Sequence, residues 1–415
     1  MPKLALFINS LNKGGAERVA SNLADYLVDA GWELVLVTQY RRAEEYPLRH
    51  KGEIRRILSE PGEGQGALTG AKDLQPAQDG TENAPGRRGQ DAQDRGESTS
   101  GRRAPYSRYC QSNLPGAAGR AVNFLRRWRK LRAIWKAERP DLILSFIGKN
   151  NVMALSSARG LGIPVVVCVR SDPAREYADA ALRRQAFRLF RRAAGVVLQT
   201  TDGRKFFPPA IAERSVILPN PLHPAFCGAL WTGERDHRIV SVGRIDENKH
   251  QSLMIDAFEA LATAFPSWQL VFYGDGPARA GLETRVREDG MEDRIVFEGA
   301  VPDVADRIRS ASMFLLTSDR EGMPNALLEA MALGIPCIST DCPCGGPRDV
   351  IQSGENGLLV PVGDAQALEQ AMRVLLEEPD RAARMGEEAA RIRERCGPEQ
   401  ALSLWEQYLR TRIGA

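Results

Sequence analysis

The sequence predicts an α/β fold made of two open parallel sheets, each covered by helices, whose facing strand ends form a ligand cleft. Two observations support this prediction. Short apolar runs typical of buried strands alternate with amphipathic helix patterns along most of the 415 residues. A proline-rich joint at residues 219–224 then divides the alternation into two parts, each about the size of one domain.

The first part opens with a strand, a glycine loop, a helix and a second strand. Residues 3–9 form a short apolar run, residues 16–30 have helical periodicity, and residues 33–38 form the next apolar run. Two strands joined by a helix in this way are parallel, with a right-handed crossover. The other elements predicted here are a helix at 117–138, strands at 141–146, 164–168, 195–199 and 215–218, and a helix at 176–194.

Residues 59–115 interrupt the alternation. This stretch is rich in glycine, proline, glutamine, serine, aspartate and arginine and has almost no branched apolar residues. It therefore cannot bury enough surface to order itself. We predict a disordered insertion within a first domain that spans residues 1–220.

The second part repeats the alternation and predicts a second domain at residues 221–397, followed by a final helix within residues 398–415. Its strands are predicted at 238–242, 269–273, 294–298, 313–317, 336–339 and 357–360. Its helices are predicted at 251–265, 278–289, 304–310, 325–333, 365–377, 381–395 and 398–411.

Composition and charge restrict the class of protein. No stretch is both long and apolar enough to predict a transmembrane helix, and no secretory signal is expected. Seven cysteines, odd in number and widely spaced, favour a reducing cytoplasm. The net charge of +3 conceals +14 in residues 1–220 and −11 in residues 221–415. This imbalance is either an ordinary surface difference or the mark of a basic domain that rests on an anionic partner.

The loop after the first predicted strand contains Gly14 and Gly15 and leads directly into a helix. Adjacent glycines let the backbone approach a ligand closely, and the free N–H groups at a helix start favour an anion. The alternative is a tight turn without a ligand, since the loop fits neither the dinucleotide fingerprint nor a P-loop.

A second candidate site follows the first strand of the second domain, where SVGR at residues 241–244 precedes Lys249. Arg244 offers a planar fork of donors and Lys249 a point charge, so the pair suits a diphosphate. The alternative is a pair of solvated surface cations.

The segment at residues 318–341 is the most informative of the chain. Glu321 precedes a helix that opens with Pro324, and Glu329 lies inside this helix, which gives the spacing E-x7-E. Glu329 can accept two hydroxyls of a ribose, and Glu321 can meet the hydroxyls and developing positive charge of a sugar ring. The alternative is two solvated glutamates, which the order of strand, acidic loop, proline and helix disfavours. Backbone N–H groups at the helix start can hold an anion or sugar hydroxyls, namely those of Met323, Asn325 and Ala326.

Together, the motifs GGAER, SVGR with Lys249, YGDGP, EGMPNALLEAMALGIPCIS and ENGLLVPVGD resemble those of the retaining GT-B glycosyltransferases of family 4. The resemblance covers nearly all of the chain outside residues 59–115. It implies two Rossmann-like domains and a nucleotide-sugar donor held mainly by the second domain. It also implies that no metal is required and that the last helix crosses back to the first domain.

The resemblance assigns roles to individual residues. Arg244 and Lys249 match the diphosphate-binding pair. Glu329 matches the ribose ligand, and Glu321 matches the carboxylate that faces the sugar. The other residues assigned to the donor are the loop glycines Gly14 and Gly15, Val301 at the strand end that meets the nucleobase, and Gly322, Met323, Pro324, Asn325 and Ala326.

The chain departs from the family pattern in one place. Many members carry a histidine after the strand that corresponds to residues 164–168, and here the segment reads VRSDP, with Arg170 and Asp172. Asp172 joins Glu321, Arg244 and Lys249 as a candidate catalytic residue, although the roles of Arg170 and Asp172 stay open. The resemblance to retaining enzymes of this fold implies that, without the histidine, an oxygen of the leaving phosphate would take the acceptor proton, and that catalysis would then rest on positioning and on cations that neutralise the departing diphosphate.

A basic helical stretch at residues 120–139 interleaves arginines and lysines with Trp128 and Trp135, and a second basic run lies at residues 183–192. Such helices can lie on an anionic membrane surface. The alternative is an ordinary solvated face with the tryptophans in the core. We favour the membrane, because the family resemblance implies that this domain is the acceptor side, and we expect no nucleic-acid partner, because no recognised binding motif accompanies the charge. The expected location is cytoplasmic, peripheral on the inner face of the cytoplasmic membrane.

The functional prediction is metal-independent transfer, with retention, of a hexose or N-acetylhexosamine from a nucleotide diphosphate sugar, with a UDP-sugar favoured. The predicted acceptor is a lipid-linked or surface-polysaccharide saccharide, carried for example on polyprenyl diphosphate, and no cofactor is expected. Two alternatives stay open: a nucleotide-sugar hydrolase or epimerase of the same fold, and a non-catalytic nucleotide-sugar-binding protein. Cys342 and Cys344 lack a partner cluster and are interpreted as part of a loop rather than as a metal site.

Overall fold

The computed structural model describes residues 1–12, 14–42, 45–59 and 116–414, with side chains described from Val122 onward in the last range. Apart from Ser59, the predicted insertion at residues 59–115 lies outside the described residues. Lys13 of the glycine loop also lies outside them.

Two parallel sheets form the centre of the fold and confirm the predicted fold class. The first sheet has seven strands in the order β3-β2-β1-β4-β5-β6-β7, and the second has six in the order β10-β9-β8-β11-β12-β13. The strands of the first sheet are β1 Lys3–Ile8, β2 Glu33–Thr38, β3 Arg55–Leu58, β4 Leu142–Phe146, β5 Val165–Cys168, β6 Gly195–Leu198 and β7 Ser215–Ile217. Those of the second are β8 Asp236–Val242, β9 Gln269–Tyr273, β10 Ile295–Gly299, β11 Ala311–Leu316, β12 Cys337–Thr340 and β13 Leu358–Val360.

Helices cover both faces of each sheet, as expected for crossovers between parallel strands. In the first part of the chain they are α1 Gly15–Asp29, α2 Gly116–Glu138, α3 Gly148–Ala158, α4 Pro173–Glu176, α5 Ala180–Phe190, α6 Thr201–Lys205 and α7 Pro209–Ala212. In the second part they are α8 Gln251–Ala262, α9 Arg279–Glu288, α10 Val304–Ile308, α11 Asn325–Ala332, α12 Ala365–Glu377, α13 Pro379–Ala390, α14 Ile392–Cys396 and α15 Pro398–Arg410. Among the described residues, none of these helices is both long and apolar enough to cross a membrane.

Strand β3 and the helices α3, α6 and α7 of the first part of the chain have no counterpart in the sequence prediction. Strand β3 pairs in parallel with the edge of β2, and two of its four residues are arginines, so it lacks the apolar run that marks a buried strand. Helix α3 begins with the polar sequence GKNN, whose asparagines lie in the core. Asn151 there donates to the backbone carbonyl of Cys168 at 2.9 Å, which satisfies a group that the sequence pattern assigns to the surface.

Two predicted helices are broken in the structure. The helix predicted at residues 176–194 is divided into α4 and α5, because Asp179 accepts from the backbone N–H of Leu182 at 2.7 Å and starts a new helix there. The helix predicted at residues 381–395 is likewise two helices, α13 and α14, which meet at Arg391.

The last helix packs on the first sheet. Leu402, Trp405 and Leu409 of α15 belong to the same buried cluster as Leu4 and Leu6 of β1. The Trp405 ring is fully buried and stacks on Phe146 at 6.5 Å, and its Nε1 donates to the carbonyl of Pro219 at 2.9 Å. The carboxyl-terminal helix therefore completes the core of the first domain and contacts the joint.

We expect Trp405→Ala to lower the stability of the chain strongly, by about 3–5 kcal/mol, because it leaves a large cavity in a packed core. The matched control is Leu404→Ala, since Leu404 is 44% exposed on the same helix. Thermal unfolding followed by circular dichroism measures both variants. Equal melting temperatures for the two variants would contradict this packing of α15.

Candidate functional site

The candidate site lies where the start of α11 meets α1. Pro324 precedes α11 and no side chain caps the helix, so its first backbone N–H groups lack intrahelical acceptors. A Cβ added at Gly15 would lie 3.2 Å from the Nδ2 atom of Asn325, the first residue of α11. The glycine loop of the first domain and the helix start of the second therefore face one another at close range.

An ion pair joins the two domains at this place. Arg18 of α1 contacts Oε1 of Glu329 at 2.6 Å, and Glu329 is only 4% exposed. Burial raises the pKa of Glu329, and the Arg18 guanidinium opposes that rise. The structure thus gives Glu329, the residue assigned to the ribose, a partner from the other domain. Sequence reasoning quoted Arg18 within its motif and gave it no role.

Glu321 lies beside a cation on the second domain. Its Oε1 atom contacts Nζ of Lys249 at 2.5 Å and accepts a hydrogen bond from Oγ of Ser318 at 2.7 Å. The two donors hold one carboxylate oxygen of Glu321, which fixes the side chain. Lys249 and Glu321 are therefore brought together, so a charge of each sign stands at the same point of the cleft.

Arg244 stands apart from this pair. Its Nε atom donates to Oδ2 of Asp246 at 2.6 Å, and its side chain is 66% exposed. Asp246 also accepts from the backbone N–H of Lys249 at 3.0 Å, so one carboxylate connects the two predicted phosphate ligands. Arg244 lies at the rim, with a side chain exposed enough to reorient onto a ligand.

At Gly14 and Gly322 an added Cβ would meet the end of a long side chain, which would have to move. A Cβ at Gly14 would lie 2.3 Å from Oε2 of Glu17, and one at Gly322 would lie 2.2 Å from Oε1 of Gln199. Gln199 follows β6, so Gly322 is a second point at which the second domain approaches the first. Val301 is half-buried against the core cluster of the second domain.

A polar network at the joint was missed by sequence reasoning. Asn220 donates from Nδ2 to Oδ1 of Asn325 at 2.7 Å and to the carbonyl of Met323 at 3.3 Å. Its own Oδ1 accepts from Arg170 at 2.5 Å, and the buried Arg170 guanidinium lies 5.8 Å from the rings of both Phe146 and Trp405. The network fixes the side chain that begins α11. Its only sequence signal is an asparagine between two prolines.

Asp172, a candidate catalytic residue, makes two contacts within the protein. Its Oδ1 accepts from the backbone N–H of Ala174 at 2.9 Å and caps α4, and its Oδ2 contacts Arg320 of the second domain at 3.1 Å. The side chain is 5% exposed. In this conformation Asp172 is a helix cap and an interdomain bridge.

Glu176 is a further carboxylate at the strand ends of the first domain. Its Oε1 accepts from the backbone N–H of Gly148 at 2.6 Å, where α3 begins, and its Oε2 accepts from Oγ of Ser171 at 3.0 Å. Burial raises the pKa of Glu176 to about 7. Sequence reasoning gave this residue no role, since it lies among charged neighbours that are typical of a surface helix.

The cysteine loop supports Glu321. The backbone N–H of Glu321 donates to the carbonyl of Pro343 at 2.8 Å, and that of Cys344 donates to the carbonyl of Glu321 at 3.1 Å. Burial raises the pKa of Cys342 to about 12 and that of Cys344 to about 11, so both are thiols at neutral pH. Within the described residues, no group of three or more histidine, cysteine, aspartate or glutamate side chains could hold a metal ion.

The two tryptophans of the basic helix differ in position. Trp135 is fully buried, and its Nε1 donates to Oγ of Ser157 at 2.8 Å. Trp128 is half-buried against the same core cluster. The position of Trp135 therefore agrees with the alternative in which the tryptophans lie in the core, because its ring packs between α2 and α3.

Comparison with known proteins gives two family matches. The family model described as glycosyl transferase 4-like domain matches residues 14–221, and the one described as glycosyl transferases group 1 matches residues 232–392. A lipopolysaccharide 1,6-galactosyltransferase of Salmonella typhimurium is 38% identical over 159 residues, which are 37% of this chain and 40% of that protein. The chain spans about half the length of several such curated relatives.

Two further similarities cover more of the chain. A Campylobacter jejuni GalNAc-alpha-(1->4)-GalNAc-alpha-(1->3)-diNAcBac-PP-undecaprenol alpha-1,4-N-acetyl-D-galactosaminyltransferase is 26% identical over 290 residues, which are 68% of this chain and 76% of that protein. The crystal structure of Anabaena HepE in complex with UDP covers 99% of this chain and 100% of its own, with a TM-score of 0.74 and 18% identity. The latter likeness is one of fold.

We expect Arg18→Met to lower the melting temperature more at pH 8 than at pH 5. Without Arg18, the buried Glu329 has no counter-charge, and its pKa in the folded state rises further above the value of 4.5 for an exposed carboxyl. A carboxyl with a raised pKa destabilises the fold progressively as the pH rises from its unfolded pKa through its folded pKa. The loss at pH 8 is about 3–5 kcal/mol, as for a broken buried pair.

The control for this experiment is the double variant Arg18→Met/Glu329→Gln, which has no ionisable group at either position. We expect its melting temperature, relative to that of Glu329→Gln alone, to differ by the same amount at pH 5 and pH 8, because neither of these two variants has a carboxyl at position 329. A pH-independent effect of Arg18→Met alone would show that Glu329 does not depend on this ion pair.

Proposed function

The chain belongs to the glycosyl transferase 4-like family, and from that premise we propose that it transfers a hexose or N-acetylhexosamine from a nucleoside diphosphate sugar to a saccharide, with retention. The observation that carries the proposal is the juxtaposition at α11. The segment that contains α11 has a helix start without a side-chain cap. It also carries two carboxylates that form ion pairs, Glu321 with Lys249 and Glu329 with Arg18.

The donor is proposed to bind with its diphosphate at the start of α11. The free N–H groups there and the cations Lys249 and Arg244 offer charge-assisted hydrogen bonds to phosphate oxygens. Glu329 lies one to two turns further along the helix, where its carboxylate can accept the two ribose hydroxyls. Arg18 then remains as the second partner of Glu329 or is displaced from it by the ribose.

The transfer step breaks the bond between the anomeric carbon and the β-phosphate oxygen and forms a bond from that carbon to the acceptor oxygen on the same face. The acceptor proton passes to an oxygen of the leaving diphosphate. Lys249 and Arg244 stabilise the negative charge that develops on the diphosphate, and Glu321 stabilises the positive charge on the sugar ring. Asp172 orients the strand-end loop of the first domain through its contact with Arg320.

The proposed acceptor and location rest on two observations: the positive charge of the first domain and the similarity to one relative. The Campylobacter jejuni protein acts on an undecaprenol-linked saccharide, as its name says, and its match extends over 68% of this chain. We propose a polyprenyl-diphosphate-linked or surface-polysaccharide saccharide as the acceptor and a UDP-sugar as the favoured donor. Such an acceptor requires a cytoplasmic enzyme that is peripheral on the inner face of the membrane, and the basic first domain suits that anionic surface.

We expect Glu329→Ala and Arg244→Ala to affect different kinetic constants. Glu329→Ala removes ribose hydrogen bonds that exist in both ground and transition states, so the donor KM rises about tenfold to a hundredfold. Arg244→Ala removes charge stabilisation of the leaving group, so kcat falls by about a hundredfold or more. Steady-state kinetics with a panel of nucleotide sugars measures both constants.

Glu329→Gln is the matched control for loss of the buried side chain, because it retains an acceptor oxygen and is expected to raise KM less than Glu329→Ala. Unchanged constants in both Glu329→Ala and Arg244→Ala would contradict this donor site. Donor hydrolysis at the full rate in the absence of any acceptor would contradict the transfer reaction and favour a hydrolase.

We expect turnover to be unchanged in excess EDTA. The proposed reaction neutralises the diphosphate with Lys249, Arg244 and helix N–H groups, which take the place that a divalent ion has in metal-assisted transfer. The measurement is product formation with chelator and after re-addition of Mg²⁺ or Mn²⁺. Activity that is lost with EDTA and restored by a divalent ion would contradict metal independence.

A further inference from the structure

A cavity of about 600 Å³ lies on the first domain, among α2, α3 and α5. Four arginines line it. Arg132 lies in α2, Arg159 directly follows α3, Arg188 lies in α5, and Arg192 lies two residues after α5. Trp128 and Leu189 provide its apolar wall, and none of the described residues that line it is acidic. A pocket with four cations and no carboxylate is a candidate anion site.

The cavity is separate from the donor site. Helix α3 begins at Gly148, directly after β4 and so at the cleft end of the sheet, and ends at Ala158. At 1.5 Å per residue, its length is about 16 Å. Ser156 and Arg159, which line the cavity, therefore lie at the opposite end of α3 from the cleft.

Arg132 is held in place before any ligand arrives. Its Nη1 atom donates to the carbonyls of Ser157 at 3.0 Å and Arg159 at 2.7 Å, and its guanidinium lies 5.5 Å from the centre of the Trp128 ring. These contacts orient the guanidinium, and no aspartate or glutamate of the described ranges lies at ion-pair distance from it. Arg132 thus forms a preorganised cationic wall of the cavity.

The other three arginines of the cavity have no carboxylate partner. Within the described parts of the chain, no aspartate or glutamate lies within ion-pair distance of Arg159, Arg188 or Arg192. Arginines of the second domain are mostly paired, as in Arg285 with three acidic side chains. Four guanidinium groups that line one cavity repel one another unless an anion lies among them, so an anionic ligand can supply the negative charge that the described lining lacks.

We propose that this cavity binds the phosphate of an anionic lipid headgroup and so fixes the helical layer of the first domain on the membrane. The guanidinium groups of Arg188 and Arg192 bind phosphate oxygens bidentately, with Arg132 and Arg159 beside them. The lipid is favoured over free phosphate because the cavity opens within a wider basic surface, which includes the exposed Arg129, Arg184 and Arg191. The apolar wall of Trp128 and Leu189 suits the glycerol portion of a lipid.

The inference rests on the proposed function in one respect, namely that a lipid-linked acceptor requires an enzyme at the membrane. It differs from the sequence prediction in the residues that act. The fully buried Trp135 takes no part, and the contact depends on arginines from three helices rather than on one amphipathic face.

The test is co-sedimentation of the full chain with vesicles of phosphatidylcholine, with and without phosphatidylglycerol. The cavity variant is Arg188→Gln/Arg192→Gln, and the control is Arg184→Gln/Arg191→Gln, which removes the same charge from the same stretch of chain outside the cavity. We expect the cavity variant to lose at least about a hundredfold in binding to anionic vesicles. The control should lose about thirtyfold or less, which is the general effect of two basic residues near an anionic surface.

Three results would overturn the inference: equal losses in the two variants, equal binding to vesicles with and without phosphatidylglycerol, or tighter binding to an RNA oligonucleotide than to anionic vesicles. Thermal shift with inorganic phosphate separates the two phosphate sources. The comparison is whether inorganic phosphate raises the melting temperature of the native chain but not that of the cavity variant. If it does so at concentrations that do not weaken vesicle binding, the site is assigned to free phosphate and the lipid proposal is overturned.

Failure here is distinguishable from failure of the proposed function. UDP affinity, measured by calorimetry without vesicles, depends on the cleft and should be the same in the native chain and both variants. If the two variants bind anionic vesicles equally well while UDP affinity is unchanged, only the lipid site is contradicted. Absence of UDP affinity in the native chain contradicts the donor site and leaves the vesicle result standing.

Discussion

The ion pair between Arg18 and Glu329 is the contact on which the arrangement of the cleft depends. Its carboxylate is buried, it joins the first helix of one domain to the helix that begins the candidate donor site in the other, and neither charge has a second ion-pair partner among the described residues. Desolvating two charges is costly, and such a pair is stable only while both members remain in place. The domains therefore meet in a defined register at this point.

The other contacts across the cleft are also polar. Asn220 bonds Asn325, Asp172 contacts Arg320, and Arg348 contacts Asp202. Polar contacts of this kind hold two domains together without a continuous apolar core. Helix α15 adds a different kind of connection, because its Trp405 lies in the core of the first domain and bonds the joint at Pro219. The two domains are thus connected by α15 with the joint and by single polar contacts across the cleft.

Local patterns in the sequence were sufficient for every strand except β3 and located the segments that form the candidate site. The glycine loop, the SVGR turn and the E-x7-E segment each lie within one strand–loop–helix connection, so the sequence pattern alone singles them out, and the family resemblance adds roles for their residues. The parts played by Arg18, Asn220 and Arg170 could not be assigned in this way. Their partners are remote in sequence, and only the packing of one domain on the other brings them together.

The difference between local patterns and tertiary contacts also explains which elements the sequence prediction missed or misplaced. Strand β3 is held by pairing with β2 although its arginines lack the apolar signal, and α3 begins with asparagines whose bonds to backbone carbonyls are tertiary. Trp135 lies within a strongly basic stretch, so the charge of its neighbours suggests a surface that its burial contradicts. The helix α15 could be placed on the first domain only through the family resemblance, because its own pattern shows an apolar face and not which sheet it covers.

The central claim is that a nucleoside diphosphate binds between the start of α11 and the glycine loop of the first domain. Backbone hydrogen exchange of the full chain, with and without UDP, tests it most directly. The account predicts slower exchange at the amides of Met323, Asn325 and Ala326 and at Gly15, since these N–H groups meet the phosphates or are covered by them. UDP binding that leaves exchange at these amides unchanged would contradict it.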